Sequence, residues 1–249
     1  MQILITAKSW PQREKFIARV TTLLQSHPAT RPYYPGCPKS YATQCDALGG
    51  TDACAPSLSE VFPGQMRPFF KTNVTPTDAA FSLKTEAFCP VLLEIPLEVD
   101  VDPAIFLPAA VKFANEECWG NLSVTLIVDS RTQKKFSTVV NNAVDSLNYG
   151  TVGVNQAAMM APMFGQTLWG AFPGNSPQNI LSGAGKIGNA YGFVKPIKSI
   201  LWAPFTYLGQ SRVPTPSGQA KMYRLLSRYL IRPGMGRLLR LAANIVTGM

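Results

Sequence analysis

Apolar positions along this chain recur in two rhythms, and the alternation between them sets the expected fold. Ile3-Leu4-Ile5 reads as a short strand, and Trp10-Pro11 opens a helical stretch over 12–25 with Phe16, Ile17, Val20, Leu23 and Leu24 at helical spacing. The run Val91-Leu92-Leu93-Glu94-Ile95-Pro96 predicts a buried strand. Residues 106–119 predict a helix through Phe106, Ala109, Ala110, Phe113 and Ala114, and 122–128 a strand buried on both faces. Phe136, Val139, Val140, Ala143 and Val144 predict a second helix over 132–147, and 151–155 the next strand. Strand, helix, strand, helix, strand implies an α/β fold with a mostly parallel sheet and flanking helices.

Two stretches break the rhythm. From 28 to 76 the chain mixes prolines, glycine pairs and tyrosines, which predicts a long insertion without extended regular elements. Past Asn155 come glycine- and proline-rich loops, then an expected strand from Phe193 to Trp202 and a loop over 210–218. The last segment predicts a helix over 219–231, with Met222, Leu225, Leu226, Tyr229 and Leu230 on one stripe and Lys221, Arg224, Arg228 and Arg232 around it. Ser217 is the expected N-cap. Pro233-Gly234 breaks this helix, and a shorter one follows over 238–246. The expected domains are 1–209, carrying the insertion, and a basic amphipathic helical tail over 210–249.

At 249 residues and 46% apolar content the chain can bury a real core. No run of eighteen apolar residues occurs and the N-terminal residues lack a secretory pattern, so the expectation is a soluble, cytoplasmic chain, with membrane association through the tail kept open. Five widely spaced cysteines without a C-x-x-C pair argue for reduced thiols and against a zinc site. His27 is the only histidine; a solvated side chain at a helix end is the simpler reading than a catalytic one. The net charge of +9 is lopsided: through Asp145 there are 13 Lys and Arg against 14 Asp and Glu, while 146–249 holds ten basic residues and no acidic one. Such a field suits a dinucleotide, an anionic membrane or an acidic partner. Nucleic acid is disfavoured, because no exposed aromatics interleave the basic residues in a recognisable module.

Several patterns mimic sites. Gly183-Ala184-Gly185-Lys186-Ile187-Gly188 satisfies G-x-G-x-x-G but lacks a preceding strong strand, a following amphipathic helix and a downstream acidic residue, which predicts a turn. Asp100-Val101-Asp102 lacks a third ligand nearby and reads as a solvated turn. Cys45 and Cys54 have no neighbouring group to lower a thiol pKa.

Thr85-Glu86-Ala87-Phe88-Cys89-Pro90 resembles the Glu-x-Phe-x-Pro cofactor motif of the aldehyde dehydrogenase superfamily, with Cys89 where a glycine is usual. Tyr149-Gly150-Thr151-Val152-Gly153-Val154-Asn155 resembles its G-T-V-x-V-N strand, and Ala114 to Ser123 its helix-to-strand step. Leu181 to Gly188 is similar to its S-G-x-G-x-x-x-G loop, and Lys198-Ser199-Ile200 to its K-T-V strand. In order and approximate spacing these resemble the second half of the catalytic domain over about 1–205. The resemblance implies an NAD- or NADP-dependent oxidoreductase taking an aldehyde to a carboxylic acid through a cysteine thiohemiacetal. It implies that Glu86 holds the nicotinamide ribose hydroxyls and Phe88 packs against the nicotinamide side. Met159, Met163, Phe164 and Trp169 fall where the family lines its substrate entrance. Ile3-Leu4-Ile5 resembles the strand just after the nucleophile, so the resemblance places no catalytic residue in this chain, and the dinucleotide-binding domain is also missing. Its implied partners are a second copy or the missing N-terminal half, through the strand from Phe193 to Trp202. The alternative is a non-catalytic binding module whose tail docks on an anionic membrane or an acidic protein.

Overall fold

Alternating strands and helices dominate the computed structural model, which describes residues 3–26, 29, 31–49, 65, 66, 68–206 and 216–247. The elements begin with β1 (Ile3–Ala7), α1 (Arg13–Ser26), α2 (Cys37–Ala47), β2 (Phe69–Lys71), α3 (Ala80–Leu83), β3 (Val91–Leu97), α4 (Pro103–Glu116) and β4 (Ser123–Leu126). They continue with α5 (Ser130–Lys135), α6 (Ser137–Ser146), β5 (Thr151–Val154), a 3₁₀ segment (Ala158–Met163), β6 (Leu168–Gly170), β7 (Lys186–Gly188), β8 (Ser199–Trp202), α7 (Pro216–Ile231) and α8 (Met235–Thr247). The chain divides into two compact units, Met1–Trp202 and Ala203–Met249.

The parallel α/β expectation holds for the larger unit, but the strands form two three-stranded sheets in place of one. In the first, β3 lies between β1 and β2, parallel to both, with Ile3 opposite Leu93 and Phe69 opposite Val91. Its central place explains the apolar run: Val91, Leu93 and Ile95 are buried against Tyr41, Leu48, Met66, Val74 and Leu83. In the second, β5 lies between β4 and β8, again all parallel. All four β5 residues are buried, and Val152 and Val154 pack with Val140, Val144, Leu107 and Val111 from α6 and α4. β6 and β7 form a separate antiparallel pair.

Two glycines in the G-T-V-x-V-N stretch are required by close backbone approach. A Cβ on Gly150 would lie 1.8 Å from the Gly170 carbonyl oxygen, and one on Gly153 would lie 2.0 Å from that of Gln156. Both distances are far inside van der Waals contact, so only glycine lets these backbones pack as they do. Asp100 and Asp102 form a capping turn: Asp102 Oδ1 accepts from Ala104 N at 2.8 Å, starting α4, and Asp100 Oδ1 accepts from Asp102 N at 2.8 Å.

Several expectations need correction. Between 28 and 76 the chain forms α2 and β2; α2 starts with Pro38 in its first turn, where a proline costs no hydrogen bond. The helix expected over 132–147 is two helices, because Phe136 leaves helical geometry at φ −114°, ψ 35°. The strand expected over 122–128 is only half-buried, as befits an edge strand. The strand expected from Phe193 is confined to β8, since no ladder partner among the described residues takes up 193–198. The tail helix starts at Pro216, so Ser217 sits inside its first turn and is not its cap. Residues 186–188 of the glycine motif pair as β7.

Cys45 is disulfide-bonded, contrary to the expectation of reduced thiols, whereas Cys37, Cys89 and Cys118 are free. A disulfide restrains the unfolded chain, and residue spacing alone does not reveal it. Among the described residues no helix is long and apolar enough to cross a membrane. His27, Cys54 and residues 210–215 lie outside the described residues.

Candidate functional site

The loop from α3 to β3 positions the two residues singled out for a cofactor. Its start is anchored: Lys84 Nζ donates to the Glu117 carbonyl at 2.9 Å, and Trp119 N donates to the Leu83 carbonyl at 2.6 Å. Its end is fixed where Phe69 N donates to the Pro90 carbonyl at 2.8 Å, joining β2 to the entry of β3. Between these anchors Ala87 turns into the protein, and Glu86 and Phe88 turn outward. Phe88 is 53% exposed with φ 44°, the left-handed region that a non-glycine residue enters only when its surroundings hold it there. One such restraint is aromatic. Tyr34 meets the Phe88 ring edge-on at a centroid distance of 5.3 Å, and Tyr33 meets Tyr34 at the same distance.

Glu86 accepts no hydrogen bond from a described residue, although neighbouring protein desolvates it enough to push its pKa above the ordinary value. Cys89, where the resembling motif has glycine, is half-buried. Burial first, and then the nearby Cys37, push its thiol up to about 12, so it stays protonated and unreactive near neutral pH.

The most completely bonded polar cluster was not legible as a site. Glu94, fully buried on β3, receives Arg13 Nε at 2.8 Å on Oε1 and Arg13 Nη2 at 2.7 Å on Oε2. Thr6 Oγ1 donates to Oε1, and Asn73 N donates to Oε2 at 2.9 Å. Burial alone would raise the carboxyl pKa, but the bonds from Arg13, Thr6 and the Asn73 amide outweigh it and leave it lowered. Arg13 also donates to Asn73 Oδ1 at 2.5 Å and to Glu14 at 2.8 Å. Acceptors and donors here are matched within the protein, so the cluster fastens β1, α1 and β3 together and leaves no lone pair for a ligand. The available signal was a single acid inside an otherwise apolar central strand, a position that demands a buried counter-charge.

A second polar feature lies at the carboxyl ends of β4 and β5, the edge of a parallel sheet where ligands commonly bind. Asn155, with φ 54°, accepts from Val128 N on Oδ1 at 2.9 Å, and its buried Nδ2 has no partner among the described residues. The donor at Val128 fixes which amide atom faces it. Next to this rim the 3₁₀ segment buries Ala158 and Ala161 and leaves Met159 and Met163 exposed, with Phe164 after it also exposed. Trp169 stands apart on β6, half-buried and opposite Ile187.

An open cavity of about 390 Å³ is lined by residues that include Gln166, Leu168, Phe193, Val194, Lys198 and Ser199. It takes in neither Glu86 and Phe88 nor any of the four entrance residues. Lys198 on its wall donates to the carbonyls of Val144, Asp145 and Leu147 at 2.7 to 3.0 Å, which occupies its ammonium as a cap on α6. No group of three side chains among the described residues could hold a metal ion. No protein-family model matches the chain, and no curated protein matches it in sequence.

Proposed function

We propose that this chain is the cofactor-orienting part of an NAD(P)-dependent, aldehyde dehydrogenase-like oxidoreductase, whose nucleophile and dinucleotide-binding domain lie outside it. The observation that carries the reading is the outward pair on the loop before β3. Glu86 offers two carboxylate oxygens that no described residue uses, and Phe88 presents an exposed ring in a backbone conformation that must be held. A vicinal diol needs two acceptors on one group, and a nicotinamide needs an apolar surface beside it, so the residues fit the group. The parallel α/β architecture and the order of the motifs along it agree with this reading.

The bound pyridine nucleotide supplies the hydride acceptor. Glu86 would accept hydrogen bonds from the two ribose hydroxyls and so hold the ribose in one orientation. Phe88 would give the nicotinamide an apolar surface on one side. Small errors in such positioning cost large factors in rate, which makes an anchored loop the right place for both groups. Met159, Met163 and Phe164 give a soft apolar rim suited to a hydrophobic aldehyde, and Trp169, on β6, stands apart from it.

Saturation-transfer NMR with nicotinamide mononucleotide tests the reading on the chain itself. Wild-type protein should transfer signal to the nicotinamide and ribose protons, and Glu86→Gln and Phe88→Ala should each lose most of it. Equal transfer in all three proteins would overturn the assignment of the pair. The purified chain should form no NADH from aldehyde and NAD; measurable aldehyde-dependent turnover would refute the placement of the nucleophile outside it.

A further inference from the structure

The unit Ala203–Met249 carries a feature that the cofactor reading does not use. Six basic residues, Lys221, Arg224, Arg228, Arg232, Arg237 and Arg240, lie on α7 and α8 and the turn joining them, and no acidic residue accompanies them. The two helices pack on each other. α7 half-buries Met222, Leu225, Leu226 and Tyr229, the stripe expected from its sequence. α8 buries Leu241 and Asn244.

Large aliphatic side chains remain outside. Leu230 and Ile231 end α7, Met235 starts α8, and Leu238 and Leu239 follow; Ile231 is 84% exposed, Met235 71% and Leu239 62%. Met235, Leu238, Leu239 and Ala242 stand at i, i+3, i+4 and i+7, so they share one face, and Arg237 and Arg240 fall on the other side of the helix. α8 therefore gives to solvent the stripe that a packed helix would bury. Arg237 also donates to the Arg232 carbonyl across the Pro233-Gly234 turn, which ties the apolar tip of the hairpin to its arginines.

We propose that this helical hairpin docks on an anionic lipid surface, with Leu230, Ile231, Met235, Leu238 and Leu239 entering the boundary between headgroups and acyl chains. The six cations around the inserted tip then add a long-range attraction to the lipid phosphates and carboxylates. Charge selects this occupant. A second copy of the hairpin brings the same uncompensated positive charge and is repelled. An acidic protein matches the charge but needs an apolar groove shaped to the aliphatic tip, whereas a bilayer accepts that tip without shape matching. Neither helix is long and apolar enough to cross the bilayer, so the hairpin lies along it.

Co-sedimentation of the full chain with lipid vesicles tests the proposal. Vesicles with about 30 mol % phosphatidylserine should bind the protein far better than pure phosphatidylcholine vesicles, and salt raised from about 0.1 to 0.5 M should weaken the binding. Arg237→Gln with Arg240→Gln should cost about five-fold per arginine. Met235→Ser with Leu239→Ser should cost about ten-fold or more through lost apolar burial. All four side chains are exposed, and circular dichroism of each variant checks that the helices persist. Equal binding to neutral vesicles would overturn the proposal, as would binding unchanged in both double variants, or displacement from vesicles by soluble polyglutamate with no retained lipid-bound protein. The last result would assign the surface to an acidic protein.

Discussion

Burial of Glu94 beside Arg13 makes this pair sensitive to the loss of either partner. The carboxylate is fully buried and the guanidinium nearly so, joined by two parallel hydrogen bonds. Glu94→Gln removes the buried counter-charge of Arg13 and leaves it only the exposed Glu14, and should destabilise the protein by about 3–5 kcal/mol in urea unfolding. Glu94→Leu combined with Arg13→Met removes both charges and should cost far less. Equal losses in the two proteins would mean that packing, not charge, sets the stability there. The same pair fixes an acid dependence. Its carboxyl is held below the ordinary glutamate value of 4.5 in the folded state, so the stabilisation is fully present above that value. It is lost as pH falls through the folded value, and urea midpoints measured downward from pH 5 should fall less steeply in the double variant. At this scale the sequence spoke unevenly. Glu86 and Phe88 stood out through the resemblance of their stretch to a Glu-x-Phe-x-Pro motif, whereas Glu94 was hidden within the apolar run that follows. Its partners Thr6, Arg13 and Asn73 come from distant positions, and no local pattern announces such a meeting.

Helices and strands with a steady apolar period were legible, and those whose reason for existing is tertiary were not. β5 follows its periodicity closely, β3 sits where its apolar run put it, and α4 forms three residues earlier than expected, over Pro103–Glu116, with Leu107 and Val111 joining Ala114 on its buried face. By contrast, α2 has few apolar residues and survives by burying Cys37, Tyr41, Gln44 and Cys45 in the first core. β2 has three residues and exists because β3 offers an edge. Lys198 illustrates how a motif residue can serve an element. It is drawn in to cap three carbonyls at the end of α6, and burial lowers its pKa from the ordinary lysine value. Lys198→Met keeps the stem and strands these acceptors, and should cost about 1–2 kcal/mol in thermal unfolding. A change within a few tenths of a kcal/mol would mean that water replaces the ammonium without loss. Gly150→Ala should be harsher, by about 3 kcal/mol, because its methyl meets backbone that cannot yield. A folded Gly150→Ala protein of wild-type stability would show that the junction of β5 and β6 relaxes.

At the scale of the whole molecule, the second sheet has an open edge at which another copy of the chain has room to add a strand. β8 pairs with β5 on one side, and among the described residues no strand pairs with its other side. Ser199 N donates to the Gly150 carbonyl, so in a parallel ladder the Leu201 amide also points toward β5. The amides of Ile200 and Trp202 then point outward, toward a strand that another molecule could add. Ile197 and Trp202 flank that edge as exposed apolar side chains, which a lone molecule gains by covering. Sedimentation velocity at tens of micromolar should therefore detect self-association. Trp202→Pro deletes one outward donor and leaves the bonds to β5 intact, and a symmetric pair would lose two hydrogen bonds of about 1 kcal/mol each. The association constant should fall by about ten-fold or more, and Trp202→Ala, which keeps the donor, should lower it much less. If the alanine and proline variants weaken association equally, the indole and not the strand edge makes the contact. If the wild-type protein sediments as a compact monomer, the edge stays open to water in solution and the expected pairing through this strand falls.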